Sequence, residues 1–225
     1  MSKPDPKTRI LDAAEHLFAE RGYHGATMRQ VADASGASLS LTQYHFKTKE
    51  ALFGAVMERC ILSINHQRLL RLGVLETTAI QSEQRVSVDD VLRAFLEPTV
   101  LLARDTREGG QNYAQLIAHI INDPQPHARA VSQKLTDPIA RQTMRMLGLA
   151  LPELDEATLA WCYIFMVGAM VTAISPTGRI ELLSNRQADG DDVERILALL
   201  VPFLTAGFER IAEQAGTPLN GLAEK

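Results

Sequence analysis

Arg29 and Gln43 carry the two side-chain types that bond base edges in pairs, a guanidinium to guanine O6 and N7 and a carboxamide to adenine. Leu41 adds an aliphatic tip that can touch a thymine methyl. Around them stand donors suited to phosphate oxygens: the hydroxyls of Thr27, Ser38 and Tyr44, the imidazole of His45 and the ammonium of Lys49. With Leu39 and Ser40, these residues form a candidate set for reading and gripping double-stranded DNA. No Lys or Arg lies between Leu39 and His45, so Arg29 is the nearby residue able to grip guanine. A solvated surface cation is the plain alternative for Arg29, and its place in the pattern favours the DNA role. His45 fits a phosphate contact and a partly packed ring equally well, while Thr42 and Phe46 are expected to face inward.

Such a set works only if two short helices hold it at a steep angle. Thr27 is a good N-cap for a helix with Val31 and Ala32 on its inner face, and Gly36 can take the left-handed conformation that ends it. Ser38 then caps a second helix from Leu39 to about His45. Such a short link is the signature of a helix-turn-helix. Ahead of the pair, Ile10, Leu11, Ala14, Leu17 and Phe18 follow a helical period closed by Arg21-Gly22. Behind it, Thr48 caps a fourth helix whose apolar run continues to about Leu72, too long for a small head alone. The expected organisation is a DNA-binding domain over residues 1–52 and a larger helical domain over residues 53–225.

The chain has 225 residues, 46% of them hydrophobic, with no internal repeat and no low-complexity stretch. Net charge is −4, which argues against a protein that coats nucleic acid indiscriminately. Residues 1–50 hold seven Lys/Arg and six Asp/Glu, a net of +1, leaving −5 for the remainder, so DNA contact belongs at the N-terminal end. Cys60 and Cys162 lie in apolar helical patterns and read as free buried thiols, which suits a reducing cytoplasm. The N-terminus lacks the apolar run of a signal peptide, and the segment Trp161 to Ile174 reads as a buried helix too short for a membrane span.

Enzyme chemistry finds little support: no Ser-His-Asp or Cys-His arrangement, no P-loop and no glycine-rich dinucleotide turn can be placed, and Gly109-Gly110 alone means little. His119 and His127 are separated by Pro124 and Pro126, so they do not share a helical face, and neither a metal nor a cofactor is expected. A helical small-molecule-binding protein, or an enzyme without a recognisable motif, remains the alternative to a regulator.

The rest of the chain predicts a loop over 73–86 and a helix capped by Ser87 with a kink at Pro98. Further helices follow around Tyr113–Ile121, from Pro126 to Leu147 with a break at Pro138, from Asp155 to Ile174, and from Asp191 to Gln214. No segment alternates with period two, so the fold class is all-α. Phe95, Tyr113, Ile117, Met144, Met146, Trp161, Phe165, Met166 and Met170 either line an adaptable apolar pocket or simply pack the core. Arg104, Asn112, His119 and Arg141 are the candidate polar anchors for an anionic headgroup. The final helix is apolar over more than one stripe, with Phe203, Leu204 and Phe208 as candidate dimer-interface residues.

Over residues 7–55 the chain resembles the tetracycline-repressor (TetR) family of bacterial transcription regulators. The resemblance rests on Arg9-Ile-Leu-Asp-Ala-Ala-Glu-His-Leu-Phe-Ala-Glu-Arg-Gly-Tyr, Ala26-Thr27, Val31-Ala32, Gly36-Ala37-Ser38 and Tyr44-His45-Phe46-Lys47-Thr48-Lys49-Glu50-Ala51-Leu52. The family often has Leu-Tyr where this chain has Thr42-Gln43, a departure that bears on base preference. Lys-Thr-Lys-Glu-Ala-Leu-Phe and Trp161-Cys-Tyr-Ile-Phe-Met-Val-Gly-Ala-Met170 are more similar to its fatty-acid-responsive branch. The resemblance implies a homodimer joined through a four-helix interface, with Arg29 at a base-contact position. It also implies a pseudopalindromic operator, repression, and release of the DNA by a small amphipathic effector.

Overall fold

The computed structural model of the protein describes residues 5–105 and 110–215. Helix α1 (Pro6–Gly25) starts at Asp5, whose carboxylate accepts from the backbone N–H groups of Lys7 and Thr8 at 2.8 and 3.2 Å. It buries Ile10, Ala14, Leu17 and Phe18, the face its periodicity predicts. At Gly22 the backbone leaves helical geometry (φ 67°, ψ 175°), so Tyr23 and His24 sit on a turn set off from the main helix. Helix α2 (Met28–Ser35) begins with a reciprocal box, in which the Gln30 N–H donates to Thr27 Oγ1 at 3.2 Å and the Thr27 N–H donates to Gln30 Oε1 at 2.9 Å. Gly36, left-handed at φ 67°, ends it, and Ser38 caps α3 (Leu39–His45) by accepting from Leu41 N–H at 3.1 Å.

Helix α4 (Lys49–Ser82) is capped by Thr48 and runs through residue 72 without pause, so the loop expected over 73–86 is helix as far as Ser82. Gly73 suggests a turn, but an interior glycine weakens a helix by only about 1 kcal/mol relative to alanine. Buried Leu72, partly buried Leu75 and an ion pair between Glu76 and Arg145 outweigh it. The expected domain boundary at 52/53 therefore falls inside a continuous helix.

Next come α5 (Val88–Ala103), uninterrupted through buried Pro98, α6 (Gly110–Ile121) and α7 (Pro126–Val131). A π-helical turn (Ser132–Thr136) then leads into α8 (Asp137–Ala150), so the break expected at Pro138 is a register change just ahead of it. Helix α9 (Glu156–Ile174) is followed by α10 (Arg179–Leu183), which the sequence pattern did not predict, and α11 (Val193–Ala215). No strand occurs among the described residues. Helix α5 packs against α4 and α11 at the centre of the body, and α1 docks on α6. One buried cluster runs from Phe18, Val31 and Phe53 in the head to Phe95, Met166 and Phe208 in the body. Cys60 and Cys162 are free thiols, and burial pushes that of Cys60 up to about 12.

Candidate functional site

Helix α3 turns Thr42 inward, where its hydroxyl donates to Ser38 O at 3.1 Å, and Phe46 closes the core beneath it. That anchorage leaves Leu39, Ser40, Gln43 and Tyr44 on the outer face, with Tyr44 80% exposed, while Leu41 and His45 are half-buried at its margins. Arg29 on α2 is exposed as well. Arg9 donates from Nη1 to Ser35 O at 3.2 Å, tying α1 to the end of α2 and fixing the pair. The outer face carries one carboxamide, with one exposed guanidinium on the preceding helix, the residue types with which a helix in a major groove reads base edges.

Two candidate phosphate donors already have internal work. The Thr27 hydroxyl accepts from Gln30 N–H and also donates to Gln30 Oε1 at 3.1 Å, so its proton is engaged. Lys49 Nζ lies 4.4 Å from the centre of the Tyr23 ring, and burial there lowers its pKa below the ordinary lysine value. Burial, reinforced by a 2.8 Å hydrogen bond donated to Glu50, pushes the Tyr23 phenol up to about 12. Ser38 accepts the α3 cap bond through its oxygen.

The expected effector pocket does not form as one unit. Phe95, Tyr113, Ile117, Met166 and Met170 are buried in the core, as is Met146, and Met144 packs against it half-buried. Trp161 and Phe165 point the other way, 62% and 53% exposed on the outer face of α9. At about 100° of rotation per residue, Met166 and Met170 lie on the side of the helix away from Trp161 and Phe165, so the four cannot all face one cavity. The proposed anchors scatter too. Arg104 is a clamp, donating to Ile174 O at 3.0 Å and Gly190 O at 2.6 Å and pairing with Asp191. Arg141 is on the surface beside Asp137. Asn112 donates to Glu15 Oε1 at 3.3 Å and His119 Nε2 lies 3.2 Å from Ala19 O, so both face the head.

Sequence reasoning missed Arg68, the only charged side chain buried among the described residues. It lies over the Phe95 ring at 3.7 Å and donates to Phe95 O at 2.9 Å, Asn65 Oδ1 at 3.3 Å and Thr99 Oγ1, with Met170 Sδ at 3.8 Å. These partners are all neutral, and burial lowers its pKa from the ordinary arginine value. The signal was available: Arg68 falls on the same helical face as Ile61, Ile64 and Leu72, where a residue must be buried.

Of the interface candidates, Phe203 is 72% exposed, but Leu204 and Phe208 are buried within the subunit. Helix α11 turns them onto α5 and leaves Leu199 and Phe203 outside. Helix α9 keeps its expected span but is only partly buried, not the wholly buried helix expected. Its 19 residues have a mean hydropathy of 1.9, long and apolar enough to cross a membrane, and Trp161, Ile164 and Phe165 are exposed on one side of it. Its other side, with Cys162, Met166 and Met170, is part of the protein core.

Known proteins share this architecture. Residues 10–56 match the bacterial regulatory proteins of the tetR family, and residues 93–207 match a tetracyclin repressor-like C-terminal domain. The HTH-type transcriptional activator FasR of Mycolicibacterium smegmatis is 29% identical over 97 residues, covering 43% of this chain and 42% of that relative. A TetR-like transcriptional regulator from Rhodococcus sp. RHA1 shares the fold with TM-score 0.62 at 18% identity, over 93% of this chain and 98% of the other. The fatty acid degradation regulator FadR from Bacillus halodurans does so with TM-score 0.56 at 18% identity, over 89% and 97%.

Proposed function

This chain belongs to the tetR family of bacterial regulatory proteins, and on that premise we propose that it is a homodimeric repressor whose hold on operator DNA is weakened by a small amphipathic anion. Residues 1–52 are the DNA-binding domain and residues 53–225 bind the effector and the second subunit. Arg29 and Gln43 read base edges, Leu41 touches a thymine methyl, and Ser38, Tyr44, His45 and Lys49 hold the phosphates. Two heads related by a dimer axis call for half-sites about 34 Å apart, hence a pseudopalindromic operator.

The effector reading is carried by Arg68. A buried guanidinium with only neutral partners is costly, and a carboxylate or thioester-linked anion beside it would relieve that cost. Phe95, Tyr113, Met166 and Met170 surround it with apolar and polarisable surface that an acyl or aromatic tail could displace. The printed role of FadR, a fatty acid degradation regulator, agrees with an acyl effector. Arg68 sits on the same helix as Lys49, about 28 Å away at 1.5 Å per residue, so movement of α4 around the ligand reaches the head directly.

Calorimetry of acyl thioesters and of fatty and aromatic acids, with and without operator, tests this reading. An effector that weakens DNA binding roughly 100-fold carries about 2.7 kcal/mol of coupling, and operator must weaken effector binding by the same factor. Arg68→Met should lose effector binding while keeping operator affinity and a stability equal to or above that of the parent. Acid binding unchanged in Arg68→Met, or equal ligand affinity with and without operator, would refute it.

A further inference from the structure

The displaced last turn of α1 and the α6–α7 joint bring three metal-ligating side chains together across the seam between head and body. His24 Nε2 lies 3.8 Å from Asp123 Oδ2, and His127 Nε2 lies 3.1 Å from the same oxygen. All three donor atoms fall within 4.8 Å of one another. Tetrahedral zinc with bonds of about 2.0–2.2 Å sets its donors roughly 3.3–3.6 Å apart. The observed 3.1 and 3.8 Å bracket that spacing.

The orientation of His127 separates this from an ordinary ion pair. Its Nε2 is buried and makes no hydrogen bond, although the carboxylate oxygen is 3.1 Å away. Nitrogen and oxygen are close without pointing at each other, as donors are when both aim at a third centre. A nitrogen left in that state costs free energy that coordination would remove. Tyr23 stacks on the His127 ring with centroids 3.8 Å apart, and Phe53 meets it edge-on at 5.8 Å, so the ring is fixed before any ion arrives. A cavity of about 240 Å³ bordered by Gly22, His24, His119, Asp123 and His127 leaves room for a water as fourth ligand and a path of entry.

We propose that His24, Asp123 and His127 bind one first-row divalent transition-metal ion, zinc fitting best, which straps the DNA-binding head to the body. Two imidazoles and a carboxylate suit zinc, cobalt or nickel rather than magnesium or calcium. The ion would hold the turn after Gly22 against the α6–α7 joint, a link independent of the core around Arg68.

Untagged full-length protein, freed of metal with a chelator, is titrated with Zn²⁺ by calorimetry and with Co²⁺ by visible absorption. One ion per chain, the intense visible bands of tetrahedral Co²⁺ and a Zn²⁺-dependent rise in melting temperature are expected. His24→Ala removes a side chain that is 70% exposed, so the fold is kept while Zn²⁺ affinity drops by on the order of 100-fold and the thermal shift disappears. Asp123→Asn should do the same, and His66→Ala, an exposed histidine elsewhere on α4, should change nothing. Absence of binding at millimolar Zn²⁺ overturns the proposal, as does full affinity in His24→Ala or equal loss in His66→Ala. None of these results bears on the response to acyl effectors.

Discussion

Arg29 and Lys49 are both cations of the proposed DNA-binding head, and the proposed reading gives them different work. Arg29 projects from α2 into solvent, and its fork can meet guanine in two places at once. Arg29→Ala should lower specific affinity by roughly 1–3 kcal/mol and relax the preference at one base pair per half-site, read by anisotropy on a panel of operator variants. Lys49, held over Tyr23 at the start of α4, would as a phosphate contact meet any sequence alike. Lys49→Ala should weaken all duplexes together and flatten the salt dependence by roughly one unit per subunit. Unchanged preference in the first variant and unchanged salt slope in the second would remove both roles. The Thr27 hydroxyl is poorly placed to donate to a phosphate, because its proton already serves Gln30.

Two glycines set how the elements of the head are joined. Gly36 is in the left-handed helical region, where a side chain is uncommon but tolerable, and an added Cβ would meet only Arg9 Nη1, at an ordinary 3.7 Å. Gly22 combines φ 67° with ψ 175°, a region that glycine alone occupies readily. Gly22→Ala should therefore destabilise the protein by about 1–3 kcal/mol and Gly36→Ala by about 1–2, with the order of the two melting temperatures as the check. A second element-level effect concerns α9. Hydrogen bonds with Thr158 hold the Asp155 carboxyl below its ordinary value of 3.8. A depressed pKa means the ionised cap contributes above that range and the contribution fades as pH falls through the folded value. Between about pH 5 and about pH 2 the parent should lose more thermal stability than Asp155→Asn, which keeps the cap without the titration; parallel losses would show that the charge is irrelevant.

For the molecule as a whole, the exposed apolar surface of α9 and α11 asks for a cover. Trp161, Ile164 and Phe165 on α9 and Leu199 and Phe203 on α11 are each more than half exposed in the single subunit. Two helices from each of two copies would bury them in a four-helix interface. Phe203→Glu should yield a folded monomer by sedimentation, with operator affinity reduced because one head alone spans one half-site. Phe208→Glu buries a charge inside the subunit and should unfold it instead, visible as lost helical circular dichroism. Parent protein that sediments as a monomer at micromolar concentration would remove the interface.

What lay in the sequence was what depends on neighbours along the chain. Thr27, Gly36, Ser38 and Thr48 bound α2, α3 and α4 by hydrogen bonds spanning three or four residues, so they could be read before any packing was known. The inward turn of Thr42, and the burial of Phe46 just past the end of its helix, were likewise expected from the local sequence. What the tertiary structure decided depends on residues far apart. Whether a methionine or phenylalanine stripe lines a pocket, packs a core or faces outward turns on which neighbour covers each side, and this divided Met166 from Phe165 and Leu204 from Phe203. Gly73 could not end α4, because Leu75 and the Glu76–Arg145 pair stabilise the helix past it. The meeting of His24 with Asp123 and His127, like the closure of Phe95, Thr99 and Met170 around Arg68, arises only when helices distant in sequence pack together.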